Sequence, residues 1–212
     1  MAKVTHIEKY GNQFKIYYDD SSVALAIPTH GGIWLVTGTT GGGTIPPGSG
    51  TYSWPFLPSV IVSEFAWRPD RSEFHEGVDF SGAAAITGAK IYAVNAGTVE
   101  AINMSAAYGN SVQIGHGVDA LNNGIHTIYA HMLNHPLVSP GNTVIKGQVI
   151  GYLDSSGTGI TGPHLHWETH ICPNNGSIVH NQSSPVDSPA VRSAINPRTF
   201  MASYGDGMVL PQ

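Results

Sequence analysis

The stretch Gly159-Ile160-Thr161-Gly162-Pro163-His164-Leu165-His166-Trp167-Glu168 joins a loop-forming Gly/Thr/Pro segment to a run that continues into Thr169 and reads as a β-strand. Side chains alternate along a strand, so His164 and His166, two residues apart, share one face. Two imidazoles on one face suggest a metal, a weak signal alone because histidine pairs also sit on solvated strands. Two upstream stretches strengthen it. His75-Glu76-Gly77-Val78-Asp79-Phe80 and Tyr129-Ala130-His131 bring further imidazoles and a carboxylate.

Composition bounds the fold and the partners. With 212 residues and 41% hydrophobic content, the chain can hold one medium domain with a real core and a small second one. Charged residues are 11% and the formal net charge is −5, which offers no basic footprint for nucleic acid and no polybasic stripe for anionic lipid. The 26 glycines and 14 prolines among many Val, Ile, Thr and Tyr read as strands separated by turns, a mainly β architecture. The 11 histidines outnumber the 9 Lys plus Arg, an imbalance that points to chemistry. Cys172 is the single cysteine, so no disulfide can form within the chain, and with Pro173 following it in a turn-like stretch it reads as structural. The N-terminus lacks the apolar core of a secretory signal, and no apolar run of ~18 residues spans a bilayer. A soluble protein without membrane insertion is expected.

Residues 1–36 predict a small unit. Val4–Tyr10, Phe14–Tyr18, Val23–Ile27 and Ile33–Val36 are short β-prone runs punctuated by turn residues, which gives a meander of three or four strands. Its aromatic residues, Tyr10, Phe14, Tyr17, Tyr18 and Trp34, read first as core and second as a surface for wall polymer or docking. Residues 37–53 are nearly all Gly, Thr, Pro and Ser and predict a flexible linker. A larger domain is expected over 54–203, followed by a tail at 204–212. Its strand signals fall at Ile91–Val94, Gly97–Ile102, Ser111–Ile114, Thr127–His131, Thr143–Ile145, Gln148–Leu153 and His164–Thr169. Only Pro189–Ile195 could form a helical turn or two, so the larger domain is predicted to be an antiparallel sheet with long loops.

A catalytic zinc takes three protein ligands and keeps a fourth position for water. His75, Asp79 and His166 satisfy that count with two neutral nitrogens and one carboxylate oxygen. His131 and His164 then remain as general base and hydrogen-bond donor, because an imidazole titrates near neutrality. His75-Glu76-x-x-Asp79 resembles the zincin motif, but Gly77 and Val78 are poor helix formers, so Glu76 is read as solvated and not as the base. His170 lies ~13 Å along a strand from His166 and is a weak candidate. Ser155–Gly162 lacks the Lys-Ser/Thr ending of a phosphate-binding loop and reads as one wall of a cleft. His6, His30, His116, His126, His135 and His180 read as ordinary surface or turn residues.

Together, His75-x-Gly77-x-Asp79-Phe80, Tyr129-Ala130-His131 and Gly157 through Thr161-Gly162-Pro163-His164-Leu165-His166 resemble the M23 (lysostaphin and LytM type) zinc endopeptidases of peptidoglycan. Arg68-Pro69, Ala96-Gly97-Thr98-Val99, Tyr108-Gly109-Asn110, His116-Gly117 and Val144 to Gly151 extend the likeness over roughly residues 60 to 200. Three motifs in order are a specific signal. The resemblance implies an antiparallel sheet whose long loops form a groove for an extended peptide. It implies one zinc ion on His75, Asp79 and His166, with His131 and His164 as the catalytic pair. The implied reaction is hydrolysis of a peptide bond in a wall stem peptide or crossbridge, with D-Ala to diaminopimelate favoured over Gly-Gly. Where several family members place an oxyanion-binding tyrosine before the first motif, this chain has Ala66, Trp67 and Arg68.

The small first unit, the glycine linker and the missing secretory signal further resemble lysins of phages that infect actinobacteria. Such a protein is made in the host cytoplasm and acts at the wall, released by a holin or carried on the virion. Two rival readings are a non-catalytic phage tail or wall-binding protein with an M23-like domain, and a biotinyl or lipoyl carrier using Lys146. The first is disfavoured because all five site positions are present, the second because it leaves the histidines without a purpose.

Overall fold

The computed structural model describes residues 4–10, 13–18, 23–29, 32–38, 52–56, 60–82, 85–119 and 121–206. The chain divides into two compact units, Met1–Thr44 and Ile45–Gln212. In the first, β1 (Val4–Tyr10), β2 (Gln13–Tyr18), β3 (Val23–Thr29) and β4 (Gly32–Gly38) form an antiparallel meander in sequential order. Each pairs with its predecessor, as turn-separated β-prone runs do. The reading of its aromatic side chains lies outside the described residues, as does most of the expected linker.

The larger unit is built on strands β5 (Val60–Ser63), β6 (Ala66–Arg68), β7 (Glu73–His75), β8 (Val78–Ser81), β9 (Lys90–Tyr92), β10 (Gly97–Ile102), β11 (Asn110–Val118), β12 (Gly124–Met132), β13 (Thr143–Val144), β14 (Val149–Tyr152), β15 (Leu165–Cys172) and β16 (Ala194–Ile195). An antiparallel sheet runs in the order β13-β10-β11-β12-β15-β8-β5, with β16 also paired to β15. β6 pairs with β7, and β9 with β14, as separate two-stranded ribbons.

Period-two alternation separates core from site. β8 and β15 pair with Phe80 opposite Leu165, Asp79 opposite His166 and Val78 opposite Trp167. Val78, Phe80, Leu165 and Trp167 are fully buried on the core side. Trp54 meets Phe80 and Trp167 edge-on at 5.8 and 5.7 Å between ring centroids. Asp79 and His166 therefore emerge together on the opposite face.

The helix lies beyond the expected place. Pro189–Ile195 forms turns and then β16, and the helix is α1 (Pro197–Tyr204). Asn196 caps it, its side chain accepting from the Arg198 amide at 2.9 Å, Pro197 occupies the first turn, and Gly205 ends it. These start and stop signals stand in the sequence, but eight residues give too short a period to detect. Phe200 and Met201 anchor α1 in the core, and the Tyr52 ring meets Phe200 at 4.9 Å.

Two histidines expected at the surface are buried because β11 and β12 are longer than predicted. His116 bonds the Ala96 carbonyl and Thr127 Oγ1, both at 2.8 Å, and burial pushes it down to about 4. His126 pairs with Glu100 at 2.8 Å. Burial works against its charge, but the Cys172 thiol and the Glu100 carboxylate beside it outweigh that and raise it from 6.5 to about 9. Folding thus favours the imidazolium, a contribution complete below the ordinary value of 6.5 and lost as pH rises through about 9. The thermal midpoint is expected to fall across that window, and His126→Asn to flatten the fall. A wild-type midpoint that climbs over the same window would contradict it.

Candidate functional site

A groove of about 950 Å³ opens on the face where Asp79 and His166 emerge. It is lined by the loop carrying Thr158–Thr161, by the segment His180–Ser183, and by Arg68, Asp70, Arg71 and Glu73 of the β6–β7 hairpin. Ser155–Gly162 thus contributes to the lining, as its composition suggested.

His75, Asp79 and His166 converge at its base. His75 Nε2 lies 3.0 Å from Asp79 Oδ1 and 3.0 Å from His166 Nδ1, and His166 Nδ1 lies 2.9 Å from Asp79 Oδ1. Each ring has its other nitrogen engaged elsewhere. His75 Nδ1 donates to the Glu64 carbonyl at 2.7 Å, and His166 Nε2 donates to Glu168 Oε1 at 2.8 Å. In those tautomers two nitrogen lone pairs and a carboxylate oxygen face one another with no proton between them. The cluster requires one positive charge at its centre, either a proton or a metal cation. As a proton it would reside on His166, where burial is outweighed by Asp79 and Glu168, which push the ring up to about 10. Burial would raise Asp79, but the two imidazoles set against it, His166 first and His75 second, hold its carboxyl well below the usual range. Burial lowers His75, which keeps its Nε2 a lone-pair donor. Two imidazoles and one carboxylate beside an open groove fit zinc with a position left for water.

Side chains around these three fix their orientation. Arg68 Nη2 donates to Asp79 Oδ2 at 3.1 Å and to Ser63 Oγ, leaving Oδ1 for the cluster. So Arg68, in the stretch where the resemblance anticipates a tyrosine, is committed to orienting Asp79. Glu168 is fully buried and accepts from His166, from Tyr108 Oη at 2.7 Å and from His170 Nε2 at 2.8 Å. These hydrogen bonds outweigh burial and keep it ionised. Glu168→Gln is expected to weaken metal binding about 10- to 100-fold, since outer partners of ligating histidines carry effects of that size. A chelator-competition titration measures it. An unchanged affinity would show that Glu168 only fills space.

Gly77 explains how two strands approach this closely. A Cβ there would lie 2.5 Å from the Trp167 carbonyl oxygen and 2.9 Å from both Glu168 Cγ and His166 Cε1. Gly77→Ala is expected to push β15 away from the His75–Asp79 segment and lower metal occupancy at equal free metal, read by metal analysis of the folded protein. Full occupancy would refute the packing argument.

His131 and His164 stand on the open side, with ring centroids 4.7 Å apart and His131 5.8 Å from His166. His164 Nε2 is 3.9 Å from Asp79 Oδ1, and its Nδ1 bonds the Gly162 carbonyl. Ala130 is opposite His166 in the sheet, so regular alternation would turn His131 away. A left-handed φ of 64° at His131 breaks the alternation and delivers the ring to the groove. Its Nδ1 donates to the Ser156 carbonyl at 2.9 Å. Burial, then the neighbouring His166 and His164, push it down to about 4, so it is neutral and ready to accept a proton.

Glu76 and His180 depart from their sequence readings, while His170, read as a weak candidate ligand, stays off the cluster. Glu76, read as solvated, is fully buried against Arg192 and His180, at 3.2 and 2.8 Å. His170 reaches the cluster through Glu168, not directly. His180, read as a surface residue, faces the groove beside Tyr108. A signal for Glu168 and His170 was available: His164, His166, Glu168 and His170 recur every second residue and share one face of the strand.

Residues 73–187 match the family model described as Peptidase family M23. The chain is similar to the DD-carboxypeptidase/endopeptidase Mpg of Neisseria meningitidis serogroup B, 37% identical over 144 residues, covering 66% of this chain and 30% of that protein. It is also similar to the peptidoglycan DD-endopeptidase ShyC of Vibrio cholerae serotype O1, 29% identical over 217 residues, covering 91% of this chain and 47% of that protein. Both curated relatives are more than twice the length that the chain spans. LytU has the same fold, with a TM-score of 0.50 at 24% identity over 73% of this chain and 94% of that one.

Proposed function

The chain belongs to peptidase family M23 and is a metallopeptidase by that membership, and we propose that it is a zinc-dependent peptidoglycan endopeptidase. The observation that carries this reading is the convergence of His75 Nε2, Asp79 Oδ1 and His166 Nδ1, each within 3.0 Å of the others, with both rings anchored through their remaining nitrogens. In this reading His75, Asp79 and His166 hold one zinc ion, which supplies a Lewis acid and water made acidic enough to attack at neutral pH. His131, neutral and held by Ser156, would take up a proton, and His164, whose Nδ1 proton is held by the Gly162 carbonyl, would donate to the oxyanion that develops on the scissile carbonyl through Nε2 when that nitrogen is protonated as well. The groove lined by Thr158–Thr161 and His180–Ser183 admits an extended peptide.

The bond we favour is D-Ala to diaminopimelate over Gly-Gly. The names of the relatives, DD-carboxypeptidase/endopeptidase and peptidoglycan DD-endopeptidase, support that preference. We read the protein as a phage lysin for an actinobacterial wall, with a wall-binding or docking unit at 1–36, a linker at 37–53 and the peptidase at 54–203. That reading rests on sequence organisation. Within the described residues no helix is long and apolar enough to cross a membrane.

The test is digestion of purified actinobacterial peptidoglycan with and without chelator, with zinc restored, followed by mass analysis of released fragments. New termini that vanish with chelator and return with zinc are expected, and they name the bond. Intact wall despite one zinc per chain would overturn the hydrolytic reading for that substrate.

A further inference from the structure

Behind His166, away from the His131–His164 side, lies a second group of ligating atoms. Glu168, His170 and His180 each offer one ligating atom, and these lie within 4.8 Å of one another. Glu168 divides its two oxygens: Oε1 serves His166 and Tyr108, while Oε2 lies 2.8 Å from His170 Nε2 and 3.9 Å from His180 Nδ1. His180 Nδ1 also meets Glu76 Oε2 at 2.8 Å, so a second carboxylate borders the same space. The His170 and His180 rings stand edge to face at 5.2 Å.

Charge and access both favour a cation here. Glu76 and Glu168 are fully buried, and among the described residues Arg192 is the one guanidinium in contact with them, through Glu76 at 3.2 Å. The two carboxylates exceed the single guanidinium that meets them, so the remaining charge must be balanced by the histidines or by a bound cation. His170 can carry its proton on Nδ1, 2.9 Å from Ser193 Oγ, which leaves Nε2 as a lone-pair donor. His180 is 38% exposed and lines the groove, so an ion can enter from solvent.

We propose that His170, His180 and Glu168 form a second site for a divalent transition-metal cation of the zinc type, separate from the cluster of His75, Asp79 and His166. Imidazole and carboxylate ligands suit such ions better than calcium or magnesium, which take oxygen. The second site is the weaker one, because its ligands already have hydrogen-bond partners that the ion must displace, and because His180 is tethered on a loop. Glu168 is shared: it ligates the second ion through Oε2 while its Oε1 orients a ligand of the first.

The test counts ions on the full chain. Protein loaded with one equivalent of zinc is titrated with cobalt(II) in metal-buffered solution at pH 7.5, read by native mass spectrometry and by the visible absorption of the cobalt. The wild type is expected to take up one further ion. His180→Ala changes an exposed side chain, and it is expected to weaken that second step about 100-fold or more while keeping the first, since losing a ligand costs at least as much as losing its outer partner. His170→Asn is a second variant with the same expected outcome, its fold checked by circular dichroism. A wild type that stops at one ion would reduce the cluster to a hydrogen-bond network around His166 and overturn the proposal. So would a second ion held with unchanged affinity by both variants, since it would then sit on other histidines.

Discussion

Replacing His75 with Ala is expected to leave the chain without the tighter-bound zinc and without hydrolytic activity, whereas His131→Ala is expected to keep that zinc and lower kcat/KM about 10²- to 10⁴-fold. The contrast follows from geometry. His75 Nε2 is one of three atoms that meet at 2.9–3.0 Å, while His131 stands to the open side with its ring centroid 5.8 Å from that of His166. Asp79→Ala and His166→Ala should behave like His75→Ala, and His164→Ala like His131→Ala. His131→Gly sharpens the experiment, because glycine accepts the φ of 64° without strain. Its activity should be lost while its thermal midpoint is held or raised, so the loss cannot be attributed to unfolding. Metal analysis with turnover on solubilised peptidoglycan separates the two classes. If His131→Ala lost the tighter-bound zinc and His75→Ala kept it, the roles would have to be exchanged.

Arg192→Ala is expected to destabilise the larger unit by about 3–5 kcal/mol, the usual cost of leaving a buried charge without its partner. Arg192 and Glu76 are both inaccessible, and the guanidinium Nε donates to Glu76 Oε1 at 3.2 Å. The same guanidinium donates to the backbone carbonyls of Val186, Asn181 and Ser184 and stacks 3.7 Å above the Phe74 ring. It thereby ties the groove wall that carries His180–Ser183 to Glu76, the neighbour of His75. Removing Glu76 and Arg192 together, as Glu76→Gln with Arg192→Met, should cost less than Arg192→Ala, because no lone charge is then buried. Urea denaturation of the three proteins measures this. A double variant less stable than Arg192→Ala would mean that the backbone contacts outweigh the ion pair.

Much of the strand framework was legible in the sequence. Gly97–Ile102 carries its bounds directly, because glycine opens it and alternating Val99 and Ala101 support it. The ends of β11 and β12 were not legible, since His116 and His126 look polar and read as turn residues. Their burial rests on partners from other strands, Ala96, Thr127 and Glu100. Glu76 was misread for the same reason: its partner Arg192 lies 116 residues away. A carboxylate in a Gly-flanked segment looks solvated until the fold supplies a guanidinium.

By itself the sequence determined the alternating pattern that puts His164 and His166 on one face of their strand and the motifs that carry the M23 likeness. Periodicity is a local property, and two residues along one strand share a face wherever that strand is placed. Tertiary structure alone decided which nitrogen of each imidazole faces the cluster, because that depends on carbonyls and carboxylates brought from elsewhere, such as Glu64 O against His75 Nδ1 and Glu168 against His166 Nε2. It also decided that His131 turns toward the groove, since a left-handed φ at one non-glycine residue is imposed by the surrounding packing and leaves no trace in the local pattern of apolar and polar residues.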